Sequence, residues 1–249
     1  NVGEIENKGI ELSVGLQLVD TKDWNVRLNA SYNTNHNKVL SIGNAVPFAI
    51  GGFSSRTVQT VVAEGQPVGF IRGYKAVLNS DNSLKEILPL QNLGSTLPTG
   101  YGNFSLSASY KNLSLMINGD YQYGAYVHSF DRQFRFSKGL KDGAIPEKAL
   151  EGLDQGANWL NFTNFFVEKS DFVKIRNIGI SYDYKPEKYL KNINFGFNVY
   201  NPFAFTASSV DPEAALAGAR SQGAVAVGGL NYSSYSTPRQ YVGSIRISF

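Results

Sequence analysis

The 249-residue chain has no cysteine, which excludes both a disulfide framework and a thiolate metal centre. Its two histidines, His36 and His128, lie far apart and are read as solvent-exposed loop residues, not as a ligand pair. No window approaches the ~18 consecutive apolar residues that a transmembrane helix requires. Strands that cross a membrane alternate and leave no such run, so that class stays open. The formal net charge is only +3 and no run of Lys or Arg occurs, which argues against a nucleic-acid partner. There is also no nucleophile elbow, no metal-ligand spacing and no phosphate-binding glycine loop. The expectation is a protein that is not an enzyme, with no catalytic residue, no cofactor and no metal. The chain starts at Asn1, without an initiator methionine or signal peptide, and is expected to be a piece of something longer or processed.

What is plentiful is Tyr (14), Phe (16) and Gly (25), beside a single Met. This is a β composition, and the apolar residues recur at the strand period of two. In 241–249, Tyr241, Gly243, Ile245, Ile247 and Phe249 fall on one face, and Val242, Ser244, Arg246 and Ser248 on the other. Stretch 10–19 sets Ile10, Leu12, Val14, Leu16 and Leu18 against Glu11, Ser13, Gly15 and Gln17. After the polar turn Asp20-Thr21-Lys22-Asp23 the stripe resumes with Trp24, Val26, Leu28, Ala30 and Tyr32. A second hairpin runs through Phe104, Leu106, Ala108 and Tyr110, turns at Lys111-Asn112, and returns through Leu113, Leu115, Ile117, Gly119, Tyr121 and Tyr123. A third carries Ile178, Ile180, Tyr182 and Tyr184, then Ile193, Phe195, Phe197 and Val199.

The opposite faces separate a soluble sandwich from a barrel. A sandwich turns Lys and Glu to water, whereas these faces are Ser, Asn, Gln and Gly with few charges, as expected of a wet lumen. Strands of about ten residues cross a bilayer when tilted, and Trp24 and Tyr32 stand near strand ends, where an interfacial girdle lies. Stretches 56–63 and 68–78, flanking Glu64-Gly65-Gln66-Pro67, complete a count of nine strands. Connections near Asp20, Glu64, Lys111 and Glu187 are short, and those from Asn33, Asn79, Ala125 and Ala207 are long. Val173 and Ile175 have the opposite parity to Ile178, which predicts a bulge near Asn177 or an upper strand projecting beyond the bilayer. Bacterial single-chain barrels close with an even number of strands, so an N-terminal portion is expected to be missing and strand 241–249 to present an unpaired edge.

Several phrases resemble TonB-dependent transporters of the SusC/RagA type. They are Asn1-Val2-Gly3 leading to Asn7-Lys8-Gly9-Ile10-Glu11-Leu12, Glu64-Gly65-Gln66-Pro67 with Gly73-Tyr74, and Phe172-Val173-Lys174-Ile175-Arg176-Asn177-Ile178. Asn201-Pro202-Phe203-Ala204-Phe205-Thr206 followed by Asp211-Pro212-Glu213, and Thr237-Pro238-Arg239-Gln240-Tyr241, complete the series. The resemblance implies an all-β antiparallel transmembrane barrel of roughly 22 strands, a size class of outer-membrane transporters, with residues 1–249 as its C-terminal portion and long extracellular loops. The plug, TonB box and first part of the barrel would lie outside this chain. The implied function is import of an oligosaccharide or peptide across the outer membrane of a Bacteroidota-like cell. Implied partners are a SusD-like surface lipoprotein, the TonB-ExbB-ExbD complex, the barrel-assembly machinery and membrane lipid. Tyr241, Gly243, Ile245, Ile247 and Phe249 resemble the barrel-assembly signal. One departure matters: where the family carries D-x-N-x-D-G, this chain has Asn79-Ser80-Asp81-Asn82-Ser83, which lacks the carboxylates and glycine of a Ca²⁺ loop.

The substrate-binding residues are not identifiable from the sequence. Glu11, Asp120 and Asp183 fall on the inner face, where they line a substrate path or are solvated or paired with Arg27 or Arg246. Trp159, Phe162, Phe165, Phe166, Tyr232 and Tyr235 offer aromatic faces to a ligand, or pack the loops. The competing readings are a passive porin-type or structural barrel and a soluble β-sandwich binding module.

Overall fold

A computed structural model describes residues 3–52, 58–186, 190–213, 229–232 and 234–249. In chain order the strands are β1 (Glu4–Lys8), β2 (Glu11–Asp20), β3 (Trp24–Thr34), β4 (His36–Ser41), β5 (Phe48–Gly52), β6 (Gln59–Val62), β7 (Phe70–Leu78) and β8 (Leu84–Ser95). They continue with β9 (Gly100–Tyr110), β10 (Leu113–Tyr123), β11 (Tyr126–Ser129), β12 (Val167–Lys169), β13 (Phe172–Tyr184), β14 (Asn192–Thr206), β15 (Leu230–Asn231) and β16 (Gln240–Ser248). Two α-helices, α1 (Phe130–Ser137) and α2 (Gln155–Asn158), and two 3₁₀ segments (Glu147–Leu150 and Trp159–Phe166) lie between β11 and β12.

Seven strands form one antiparallel sheet in the order β2-β3-β9-β10-β13-β14-β16. Its register aligns an apolar row across every strand: Leu16, Leu28, Leu106, Ile117, Ile178, Val199 and Tyr241 are successive cross-strand partners. Because side chains alternate, this one alignment puts the whole apolar set on one face. That face is uncovered: Leu12, Val14, Leu16, Leu18, Ile180, Phe195, Phe197 and Ile245 are all exposed. Aromatic residues border it. Trp24 and Tyr110 pair at the tight-turn end with ring centroids 4.6 Å apart. At the opposite end the Tyr32 and Tyr123 hydroxyls lie 2.8 Å apart. There Tyr121 lies over its cross-strand partner Gly102, where a Cβ would come within 2.1 Å of the Ser31 carbonyl oxygen.

The count differs from the nine strands expected. Stretches 56–63 and 68–78 are not in this sheet: β6 and β7 belong to a separate four-stranded sheet, β5-β6-β7-β8, and β3 pairs directly with β9. Removing two strands leaves direction unchanged, so β16 still runs toward the end that carries the turns at 21–23 and 111–112. Residues 1–2, 53–57 (with Arg56), 187–189 (with Glu187) and 214–228 of the segments named above lie outside the described residues. The expected bulge is present, and the ladder from β10 to β13 shifts as Asn118 pairs Asn177 while Gly119 pairs Ile175, setting Arg176 out of register.

The buried core lies outside the sheet, save for Phe172 at the dome end of β13. The chain leaves the long-loop end three times, and the three excursions pack into one dome. Ala76 from 35–99 clusters with Phe136, Ile145, Ala149, Phe162 and Phe166 from 124–171. A second cluster joins Val58 and Ile71 to Phe130 and to Leu230 of the third excursion. His128, expected to be exposed, is instead fully buried here, because β11 runs through the dome between β12 and β15. It lies 2.5 Å from Gln133 Oε1, and Gln133 in turn donates to Thr163 Oγ1 at 2.8 Å. Burial pushes the imidazole pKa down to about 4, with the Arg132 charge adding to the effect and the Gln133 bond opposing it. His36 is exposed, as expected.

Candidate functional site

The face opposite the apolar row is made mainly of small, neutral polar side chains, with Arg27, Asp183 and Arg246 among them. Asn29, Ser105, Asn118 and Asn177 form one cross-strand row, and Asn25, Ser109, Ser114, Ser181, Gly196 and Ser244 another. Between and below these rows lies a trough of about 370 Å³ lined by Ser107, Ser109, Ser114, Ser181, Asn198 and Ser244 among others. The five serines of that set have no side-chain hydrogen-bond partner among the described residues. Their donors and acceptors therefore face water or a visiting polar chain. Chemically these two rows can hydrate and hydrogen-bond a passing solute, while charge on this face comes from residues beyond or between them, such as Arg27, Asp183 and Arg246.

Charge is concentrated where the wall meets the dome. The bulge turns Arg176 toward Asp120, to which it donates from Nε at 2.5 Å and Nη2 at 2.7 Å. A second Nη2 contact reaches Glu213 Oε1 at 2.5 Å. Lys174, two residues earlier and buried, donates to Asp211 Oδ1 and Glu213 Oε2, both at 2.6 Å. Burial pushes the Asp211 and Glu213 carboxyls up, but the bonds from Lys174 and, at Glu213, Arg176 outweigh it and hold both below the ordinary carboxylate range.

The motif phrases singled out by sequence prove to be contacts with one another. Phe172 to Ile178 meets Asp211-Pro212-Glu213 through the pairs above. Asn201 donates to the Pro238 carbonyl at 3.1 Å, and Arg239 donates to the Pro202 carbonyl at 2.5 Å while its guanidinium lies 6.0 Å from the Phe203 ring centroid. The Glu64-Gly65-Gln66-Pro67 turn docks on β4, where Glu64 Oε1 accepts from Ile42 N at 2.9 Å and Gly65 N donates to Val39 O at 2.8 Å. Gly9 stands where a Cβ would meet the Thr34 carbonyl oxygen at 1.9 Å.

The inner-face carboxylates do not share one site. Asp120 pairs with Arg176 rather than Arg27 or Arg246, Asp183 accepts from Asn192 and Asn194 at 2.8 and 3.0 Å, and Glu11 has no ion-pair partner among the described residues. Phe162 and Phe166 are dome core and Trp159 and Phe165 pack against it, so loop packing is their role, whereas Tyr235 is exposed. Lys174 and Glu213 were missed as partners, although both stood inside recognised phrases. In the Asn79–Ser83 turn, Asp81 accepts from Ser83 and from Lys148 Nζ at 2.6 Å, so this carboxylate is engaged by the chain itself. Tyr241, Gly243, Ile245 and Ile247 share the apolar face of β16, opposite Val199, Phe197, Phe195 and Ile193, and Phe249 follows the strand, exposed.

No family model matches the chain. It is 24% identical over 300 residues to TonB-dependent receptor P3 of Formosa agariphila, covering all of this chain and 29% of that protein. The RagAB peptide importer in its closed-closed state superposes with a TM-score of 0.74 at 21% identity, covering all of this chain and 30% of the solved one. Its open-open state gives 0.70 at 21% identity, over 29% of that chain. The chain thus spans less than a third of the length of these proteins. It has the fold of the matched part of the RagAB chains, an open antiparallel sheet with a loop dome. The relative's name, TonB-dependent receptor, and the RagAB structures agree with the SusC/RagA-type resemblance of the sequence.

Proposed function

We propose that this chain is the C-terminal part of the barrel of a TonB-dependent importer that carries a bulky nutrient, an oligosaccharide or a peptide, across the outer membrane. The observation that carries the reading is the uncovered apolar row from Leu16 to Tyr241, backed by a mainly neutral polar wall. An exposed apolar band of this height has no place in water, and the strands between β2 and β16 are paired on both sides, leaving only those two outer edges to be closed by further strands, as a bilayer demands. The strands that carry it, of 9 to 15 residues, are long enough to cross. The similar receptor and peptide importer support the import function. A SusD-like lipoprotein would sit on the dome, and the TonB-ExbB-ExbD complex would act on a plug encoded outside this chain. Tyr241, Gly243, Ile245, Ile247 and Phe249 would be read by the barrel-assembly machinery.

The test is uptake by cells expressing the full-length protein. Loss of TonB or of the proton-motive force should abolish uptake of the nutrient. Uptake that persists would instead establish a passive channel. Deleting Phe249 should lower assembly in cells while sparing refolding in vitro, and unchanged assembly would remove the signal role.

A further inference from the structure

Beyond β14 the chain turns back along the dome as 207–213, and both ends of this segment are pinned to different bodies. At its start Ala207 N donates to the Asp171 carbonyl at 2.9 Å. Ser209 donates from N at 2.5 Å and from Oγ at 2.8 Å to the Glu168 carboxylate of β12. Glu168 also pairs with Arg132 of α1, whose guanidinium grips Asp142 through two bonds of 2.9 and 2.6 Å. At its far end Asp211 and Glu213 are held by Lys174 and Arg176 of β13, and Arg176 continues to Asp120 of β10. One line of charged contacts therefore runs from α1 through Ser209, Asp211 and Glu213 into two strands of the wall.

We propose that residues 207–213 are a strut that makes the dome and the barrel wall move as one body. The segment is internally stiffened for this: Ser208 Oγ donates to Val210 O at 2.6 Å, Asp211 Oδ1 accepts from Glu213 N at 3.1 Å, and Pro212 fixes the backbone between the two carboxylates. The two ends differ in firmness. The Lys174–Asp211 pair is shielded, with side chains only 6% and 10% exposed, whereas Arg176 and Glu213 are 30% and 38% exposed. A shielded pair is screened little by salt, and a half-exposed one much more. Lys174–Asp211 is therefore the permanent joint, and Arg176–Glu213 the joint that ionic strength loosens.

The experiment is run on the full-length protein in detergent or lipid, by hydrogen exchange and by spin labels at Lys141 in the dome and Lys111 in the tight turn. The expected result is a single narrow label distance that broadens when Lys174→Met and Glu213→Ala free the far end and Glu168→Ala frees the near one. Glu213→Gln alone should raise exchange at Glu213 on the order of tenfold, and Lys174→Met should raise it further across 207–213. In both variants β10 amides should exchange as in the parent. The strut is overturned if the label distance keeps its width in the combined variant, if 207–213 exchanges at the parental rate in Lys174→Met, or if β10 loses protection in step.

Discussion

The sheet and the dome use the same residue types in opposite ways. In the sheet, leucines, isoleucines and aromatics face outward and stay exposed, while the inner face is serine and asparagine. In the dome, Phe136, Phe162 and Phe166 are fully buried among short helices and strands, and the charged residues lie outside them. The sheet is thus organised for a solvent of hydrocarbon and the dome for water. The difference teaches that burial in this chain marks the loops, not the spanning strands.

The largest expected break in that comparison is Phe162→Ala. Removing a fully buried ring should cost the dome about 3–5 kcal/mol, read as an earlier unfolding transition of Trp159 fluorescence. Amide protection in β10 should not change, and equal loss there would mean that the two regions are one cooperative unit. Acid should act on the same region. His128 titrates near 4 when folded against an ordinary 6.5, so the unfolded chain takes up the proton first. Dome stability should be complete above pH 6.5, fall by roughly 3 kcal/mol as pH drops toward 4, and then level off. His128→Gln should flatten that slope; a slope that survives the substitution would assign it to other groups.

Ile117→Arg tests the sheet. On the apolar row it should cost about 2–4 kcal/mol of folding in lipid vesicles, whereas Ser107→Ala or Ser114→Ala on the inner face should be tolerated. The outward assignment of the row would be falsified if Ile117→Arg folded in lipid as readily as the parent. The smallest effect is expected of Tyr32→Phe, which removes the hydroxyl pair to Tyr123 and should cost about 1 kcal/mol in the same assay.

The sheet was legible because alternation is a local signal. Each of Leu12, Val14 and Leu16 declares its face within a few residues, and the wrong parity at Val173 and Ile175 disclosed the bulge before Arg176 could be placed. The two strands around Glu64 were found but assigned to the wrong sheet, since nothing local distinguishes a spanning strand from β6 or β7. What separates them is that β3 and β9 pair across a long stretch of sequence, a non-local fact. The dome was illegible for a related reason: Phe136, Phe162 and Ala76 come from two excursions, and their contacts have no period. His128 was misread because a lone histidine in an irregular stretch carries no mark of the Gln133 and Thr163 side chains that enclose it. The charges of the strut stood inside two recognised phrases, yet that they face each other depends on the bulge.

The closing of β3 onto β9 has a further consequence. Thr34 pairs with Gly100, and Asn35 N donates to the Thr99 carbonyl at 3.1 Å, so the chain leaves the ladder and re-enters it at a single rung. The rung itself asks of the segment only loop closure, about 0.6 kcal/mol for each doubling of length, while the contacts of 35–99 go to β1 and to the dome, through Val58, Ile71 and Ala76. The rung is a cassette port. Segment 35–99 can lengthen, shrink or be exchanged for another over evolutionary time while the hydrocarbon-facing rows keep their register. The sheet can thereby be retained while the dome is rewritten.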